Sequence, residues 1–227
     1  MIPLTTLEYS AIALSLKVAM TATLLSLPFG FAAAYVMTFR TFRGKVAVDV
    51  LINLPLTLPP VVIGYLLLLL LGRNGWMGGV LERFGVRLIF TWRAAVIATA
   101  VVGFPLLVRA IRISMEAVDR ELIQASRTLG AGWFDALLTV ILPLSLRGIL
   151  AGSSLMFARG LGEFGATIIV AGNIPGVTQT IPLAIYDYAG APGGDASALT
   201  LCLISVFITV VVLTVHEWLG RKVIRRD

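Results

Sequence analysis

Charged residues are scarce in this sequence. Aspartate, glutamate, lysine and arginine make up only 13% of its 227 residues, whereas 58% are hydrophobic and the mean hydropathy is +0.96. Soluble domains are typically about one quarter charged. The composition excludes an ordinary soluble protein and predicts an integral membrane protein, and the chain is too short for a membrane bundle plus a second folded domain.

Cysteine and histidine are scarcer still. Cys202 is the only cysteine and His216 the only histidine, so the sequence excludes an internal disulfide and offers no cysteine or histidine cluster for a metal. It also lacks a P-loop and a glycine-rich dinucleotide motif. We therefore expect no catalytic residue, no metal site and no cofactor in this chain, and we expect that it is not an enzyme by itself.

What the sequence does contain is long hydrophobic runs. The N-terminus, MIPLTTLEYS, lacks the basic region of a signal peptide, so the first run is expected to stay in the protein. The runs predict an all-α fold, a single membrane domain over residues 1–227 with about five transmembrane helices. The expected spans are residues 11–38, 46–71, 94–112, 144–165 and 198–218.

The stretch 168–197 is predicted not to cross the membrane. Glycine and proline interrupt it throughout, for example at Gly172, Pro175 and Pro192. Such interruptions are tolerated at membrane depth only where other protein groups satisfy the backbone. We expect a re-entrant or surface segment with a short helix around residues 183–188.

Prolines interrupt the first half of the second span. Pro55, Pro59 and Pro60 remove backbone donors, so the freed carbonyl groups need partners on neighbouring helices or in a water-lined path. Two interpretations remain open. The span is either a kinked packing helix or a broken segment in which Pro59 and Pro60 line a translocation path.

Two charges lie deep within the fourth span. Arg159 and Glu163 are four residues apart, which places both on one face if the helix is continuous. One interpretation is an internal ion pair that makes both charges tolerable in the membrane. The other is that they line the substrate route, because charges inside a membrane are costly and often functional.

A polar island separates the third and fourth spans. It covers residues 119–143 and reads DRELIQASRTLGAGWFDALLTVILP. Asp119 is predicted to cap a short helix that Gly130 ends, and Gly132 is predicted to allow a sharp turn. A second amphipathic helix is expected to follow until Pro143 breaks it. An ordinary interfacial loop on the membrane would have the same pattern.

The order of residue types in this island is more specific than its pattern. Gln124-Ala125-Ser126, then Gly130, then Val140-Ile141-Leu142-Pro143 resembles the Glu-Ala-Ala, Gly and Ile-x-Leu-Pro signature of ABC importer permeases. Gln124 and Ser126 depart from the usual Glu and Ala, so a salt bridge from that Glu is not carried over. The resemblance implies a cytoplasmic coupling helix pair that docks on an ATPase subunit through Gln124, Ala125, Ser126, Gly130, Ala131, Leu142 and Pro143.

Further blocks resemble the permease subunits of molybdate ABC importers. They are LPLTLPPVVIGYLLL, GRNGW, FPLLVRAIR, FARGLGEFGAT and GNIPGVTQTIP, and they cover most of the chain from Leu54 onward. The resemblance implies the type I ABC importer fold and a homodimer with the path on its two-fold axis. It also implies cytoplasmic ABC ATPase subunits that bind the ATP. A periplasmic protein would deliver molybdate or tungstate to the external segment 168–197.

Basic residues are distributed unevenly along the chain. If the polar island is cytoplasmic, the protein is a multi-pass protein of the bacterial inner membrane with its N-terminus outside and its C-terminus inside. Eleven lysines and arginines then lie on the cytoplasmic side and four, Arg73, Arg83, Arg87 and Arg93, lie outside, as the positive-inside rule expects. The external four fit a solvated loop, an acidic partner or an anion. This distribution explains the net charge of +6 without a nucleic-acid partner, and the expected surroundings of the protein are membrane lipid.

Two other hypotheses remain open. A permease for sulfate or another oxyanion would have the same spans, because these carry no clear pocket for a tetrahedral anion. A secondary transporter or channel that works alone would move solute without ATP, but it would leave the residue order from Gln124 to Pro143 unexplained.

Overall fold

The computed structural model describes residues 4–224, without the side chains of His216 and residues 219–224. Within this part the chain forms helices and no strand, so the predicted all-α fold is confirmed. Arg225 and Arg226, and the side chains of Arg221 and Lys222, which were assigned to the cytoplasmic side, lie outside the described part. The helices are α1 (Thr6–Phe39), α2 (Lys45–Thr57), α3 (Pro60–Leu71), α4 (Trp76–Arg83), α5 (Trp92–Glu116), α6 (Arg120–Thr128), α7 (Trp133–Ala136), α8 (Leu142–Leu144), α9 (Leu146–Leu161), α10 (Gly165–Ala171), α11 (Ile181–Gly190) and α12 (Asp195–Ile224).

Three of these helices, α1, α5 and α12, are long and apolar enough to cross a membrane alone. Two bent pairs supply further candidate spans: α2 and α3 meet at 114°, and the stretch 133–144 meets α9 at 64°. The described chain therefore has three candidate spans, or up to five if each bent pair counts as one. The segment 168–197 holds the end of α10 and the short helix α11.

The core of the bundle lies where α1, α5 and α9 pack together. Leu107, Ile111 and Met156 are fully buried there. α9 approaches α5 closely because Gly152 has no side chain: a Cβ atom at this position would lie 2.9 Å from the carbonyl oxygen of Leu107. Small residues at helix contacts are the usual means of close packing between membrane helices. α12 packs on α9 and α11 at the side of this core.

The second half of the polar island differs from the prediction. Instead of one amphipathic helix, α7 leads into a π-helical turn over residues 137–141 and then into α8, which contains Pro143. Proline lacks the N–H that would bond to the carbonyl four residues back, and a π-turn is one way for a helix to accommodate the loss. The prediction that Pro143 breaks the helix is therefore wrong, and the chain bends only after it, at Ser145.

Candidate functional site

The polar island forms an exposed corner at the end of α5. The Oδ1 atom of Asp119 accepts a hydrogen bond of 2.9 Å from the N–H of Glu121 and caps α6, as predicted. The chain then turns at Gly130, which has a φ of +94°. Residues with a side chain rarely adopt this conformation, which explains glycine at this position. Gly132, where a second sharp turn was predicted, instead has an extended backbone and caps α7.

The corner presents apolar side chains that nothing in the described chain covers. Leu122, Leu129 and Phe134 are all exposed, and Leu129 is 89% accessible. Bulky apolar side chains that cluster on an open surface typically mark a contact with another molecule. We call this surface, residues 119–136, the coupling corner.

The residues predicted for coupling lie in two places, the coupling corner and α8. Gln124 and Ala125 are exposed on α6, whereas Ser126 turns back and donates a hydrogen bond of 2.8 Å to the carbonyl of Ile123. The N–H of Ala131 donates to the carbonyl of Ser126 at 3.0 Å and closes the turn around Gly130. Leu142 and Pro143 lie beyond the coupling corner, in α8 at the approach to the bend before α9.

The coupling corner is joined directly to the first spanning helix. The Nε1 atom of Trp133 donates a hydrogen bond of 2.6 Å to the hydroxyl of Tyr35 on α1. The two rings also meet edge to face, with centroids 5.8 Å apart. This contact was not predicted, because the two residues are 98 positions apart and neither belongs to a motif.

The proline break in the second span faces the start of α10. α2 ends at Thr57 and α3 begins at Pro60, with the sharp bend between them. α3 and α10 pack so tightly that a Cβ atom on Gly64 would lie 2.8 Å from the carbonyl oxygen of Ala166. A Cβ atom on Gly165 would lie 3.0 Å from the Cβ of Pro60. The fold therefore brings Pro60 next to the turn that follows Glu163.

Arg159 and Glu163 meet although the helix does not continue between them. α9 ends at Leu161, and Nη1 of Arg159 lies 2.8 Å from Oε2 of Glu163, without the alignment of a hydrogen bond. The Oε1 atom of Glu163 accepts a hydrogen bond of 2.9 Å from the N–H of Ala166. The Glu163 side chain is 1% exposed and that of Arg159 is 34% exposed. The carboxylate thus joins α9 to α10, and part of the guanidinium remains accessible at the bend.

A further charged cluster lies at the end of α5 that leads to the coupling corner. Nη1 of Arg112 is 3.0 Å from Oδ1 of Asp49 on α2, and its Nε is 2.8 Å from Oε1 of Glu116. These groups and Arg109 line a cavity of about 410 Å³. The cluster was not predicted, because the third span was expected to end at Arg112. The available signal was Asp49, the one acidic residue in the hydrophobic run 46–71.

Residues 26–225 match the family model of the binding-protein-dependent transport system inner membrane component. The chain belongs to this family.

Named relatives narrow the comparison. The chain is 52% identical over 219 residues to the molybdenum transport system permease protein ModB of Escherichia coli (strain K12), which covers 96% of each chain. It is 49% identical over 217 residues to the protein of the same name from Haemophilus influenzae, which covers 95% of each chain. It is 38% identical over 177 residues to the sulfate transport system permease protein CysW of Synechococcus elongatus, covering 78% of this chain and 62% of that one.

Solved structures show the same architecture at low sequence identity. An inward-facing methionine ABC transporter, MetNI, aligns with a TM-score of 0.75 at 14% identity and covers 98% of this chain and 99% of that chain. A bacterial alginate ABC transporter in complex with a periplasmic protein aligns with a TM-score of 0.78 at 15% identity. The alignment covers 96% of this chain and 80% of that chain. The fold is therefore that of type I ABC importer permeases.

Proposed function

We propose that this chain is the membrane-spanning permease subunit of an ATP-driven importer for molybdate or tungstate. Identity of about one half over nearly the whole length to two molybdenum permeases supports the choice of substrate. The observation that carries the role as a driven permease is the exposed apolar coupling corner around Gly130. The residues of this surface resemble the signature at which ABC importer permeases bind their ATPase subunits.

ATP hydrolysis belongs to partner chains in this proposal. The sequence holds no nucleotide-binding motif, so the chain is not an enzyme by itself and binds no cofactor of its own. Two cytoplasmic ABC ATPase subunits bind the permease dimer, one at each coupling corner. The contact is made through Gln124, Ala125, Ser126, Gly130 and Ala131. Leu142 and Pro143 then connect the corner to α9.

The transport path lies on the two-fold axis of a homodimer. Pro59, Pro60 and Arg159 face it at the level where both the α2–α3 pair and the α9–α10 pair are broken, and the buried Glu163 lies behind Arg159. The accessible part of the Arg159 guanidinium offers a passing oxyanion a positive charge, and Glu163 fixes its position. A periplasmic binding protein releases the anion at segment 168–197, so the N-terminus lies outside and the C-terminus lies in the cytoplasm.

Transport follows from movement of the coupling corner. When ATP draws the two ATPase subunits together, each corner is displaced, and the Trp133–Tyr35 contact passes the displacement to α1. The breaks at Pro59 and at Gly162 are the positions at which packed helices can change angle without unfolding. The bundle thereby alternates between an opening toward the binding protein and an opening toward the cytoplasm.

Sulfate is the second candidate substrate. Sulfate and molybdate are both tetrahedral dianions, and the similarity to CysW at 38% identity favours sulfate over unrelated solutes. The identity is lower than to the molybdenum permeases and covers less of either chain. Molybdate and tungstate are therefore the preferred substrates.

Reconstitution tests this function. The permease is purified with its ATPase subunit and binding protein, placed in vesicles, and given molybdate, tungstate or sulfate with or without ATP. We expect accumulation of molybdate and tungstate that requires both ATP and the binding protein. Accumulation of sulfate alone would assign the second substrate. Flux through the purified chain without its ATPase would contradict the role as a driven permease.

A further inference from the structure

The short helix between α3 and α5 carries an unexplained apolar stripe. Trp76, Met77, Val80 and Phe84 are all exposed, and Trp76 is 83% accessible. Their spacing puts them on one side of α4 and of the residue that follows it. The opposite side holds Gly78, which is buried. α4 is thus amphipathic, but its apolar side points away from the bundle.

The position of α4 is fixed by its contact with α3. Gly78 sits directly on the carbonyl oxygens of Leu71 and Gly72, so α4 is held against the end of the leucine-rich helix α3. α5, with 25 residues, is roughly 37 Å long and separates α4 from the coupling corner. The stripe therefore lies where α3 leaves the hydrocarbon layer, at the membrane face opposite the coupling corner.

Two arginines lie on the other side of α4 from this stripe, because Glu82, which pairs with both of them, is on the same side as Gly78. Nε of Arg73 lies 3.3 Å from Oε2 of Glu82, and Nη2 of Arg87 lies 4.0 Å from Oε1 of the same carboxylate. Arg83 is exposed at the last position of α4. Two guanidinium groups share the Glu82 carboxylate and Arg83 adds a third, so the group keeps a net positive charge. Arg73 and Arg87 also line a cavity of about 360 Å³ whose walls include Leu68, Leu71 and Val86.

We propose that α4 lies in the headgroup region of this leaflet and that Arg73, Arg83 and Arg87 bind the phosphate of an anionic phospholipid. Trp76, Met77, Val80 and Phe84 then reach the upper acyl chains, as the apolar side of an interfacial helix does. Tryptophan is enriched at this depth, and guanidinium groups match phosphate geometry. The positive-inside rule expects few arginines on the external side of the membrane. A lipid site explains why Arg73, Arg83 and Arg87 occur there.

Two other occupants fit the observations less well. A free oxyanion would use the arginines but leave the apolar stripe in water. A second copy of the chain on a two-fold axis would cover the stripe with itself but would leave the positively charged side of α4 uncovered. Phospholipid matches both the apolar and the positive part of the surface.

Fluorescence quenching tests the position of the stripe. Trp92, Trp133 and Trp218 are replaced by Phe, so that Trp76 is the only fluorophore, and the protein is reconstituted in lipids brominated near the headgroup or near the chain end. We expect strong quenching of Trp76 by shallow bromine and weaker quenching by deep bromine. A matched variant that keeps only Trp133, on the coupling corner, should be quenched less by both. Equal emission of Trp76 with and without bromine would show that protein or water covers the stripe and would overturn the proposal.

Lipid selectivity tests the arginines. Association of spin-labelled phosphatidylglycerol and phosphatidylcholine is compared for the wild type and the triple variant Arg73→Gln, Arg83→Gln, Arg87→Gln. Near an anionic surface each charge has an effect of about fivefold, so we expect preference for phosphatidylglycerol to fall by about that factor per arginine. The matching Arg→Lys variant should keep most of it. An unchanged preference in the Gln variant, or displacement of the lipid by excess molybdate, would contradict the lipid site.

Discussion

Two regions of the molecule differ in the exposure of their key side chains. These are the bend between α9 and α10 and the coupling corner. At the bend, the Glu163 carboxylate is 1% exposed; one oxygen lies 2.8 Å from Nη1 of Arg159 and the other accepts a hydrogen bond from the N–H of Ala166. At the corner, Leu122, Leu129 and Phe134 stay exposed, and the turn at Gly130 has nothing within 4 Å of its missing side chain. The charges at the bend find partners within their own chain, whereas the corner exposes a surface that we propose a partner covers. Substitutions at the bend should therefore affect folding, and substitutions at the corner should affect coupling.

The largest effect is expected at the bend. Arg159→Met leaves the buried Glu163 carboxylate without its counter-ion; breaking a fully buried pair costs about 3–5 kcal/mol, and the cost here is lower because Arg159 is 34% exposed. We expect a marked fall in the thermal unfolding temperature of the purified permease. The double variant Arg159→Met, Glu163→Gln should recover most of it, because the amide oxygen still accepts from Ala166. Equal stability of the single and double variants would show that the charge is not buried.

A smaller effect of a different kind is expected at Gly130. Gly130→Val forces a side chain into the left-handed region, at a cost of about 1–2 kcal/mol, and changes the shape of the corner. The spans should stay folded while uptake per ATP hydrolysed falls. Gly132→Ala is the matched control, because Gly132 also has nothing within 4 Å but has a φ of −67°. Wild-type uptake and stimulated hydrolysis in the Gly130→Val complex would refute a coupling role for this turn.

Tyr35→Phe tests the hydrogen bond between the coupling corner and α1 without changing the corner itself. The change removes the hydroxyl that accepts from Trp133 at 2.6 Å but keeps the ring contact, so the stability loss is about 1 kcal/mol. We expect fewer molybdate ions imported per ATP, with basal hydrolysis unchanged. Tyr9→Phe, at an exposed site near the start of α1, should behave like the wild type. If both variants import equally, α1 does not receive motion through this contact.

The smallest effect is expected for Asp49→Asn. The Asp49 and Arg112 side chains are 45% and 31% exposed, unlike Glu163, and ion pairs open to solvent contribute about 0.2–1 kcal/mol. The unfolding temperature should therefore change little compared with Arg159→Met, and the difference should shrink further in high salt. A loss as large as that of Arg159→Met would show that both clusters are buried to a similar extent in the assembled protein.

Local patterns predicted this molecule well, and distant contacts escaped prediction. The cap at Asp119, the turn at Gly130 and the meeting of Arg159 with Glu163 each depend on residues within four positions of one another. Asp49 and Arg112, or Tyr35 and Trp133, meet only because α2, α1 and the corner pack around α5. The path through Pro143 was mispredicted because one proline can be absorbed by a π-turn, an outcome that local composition does not distinguish from a break.

Accessibility of Leu129 tests the central claim most directly. This side chain is 89% exposed at the coupling corner, and Cys202 is the only native cysteine, so Leu129→Cys in a Cys202→Ser background carries a single reporter thiol. We predict that a membrane-impermeant maleimide labels it in inside-out vesicles, not in intact cells, and that bound ATPase subunits protect it. Labelling from the periplasmic side, or full labelling in the assembled complex, would contradict the assignment of this corner as the site that the ATPase grips.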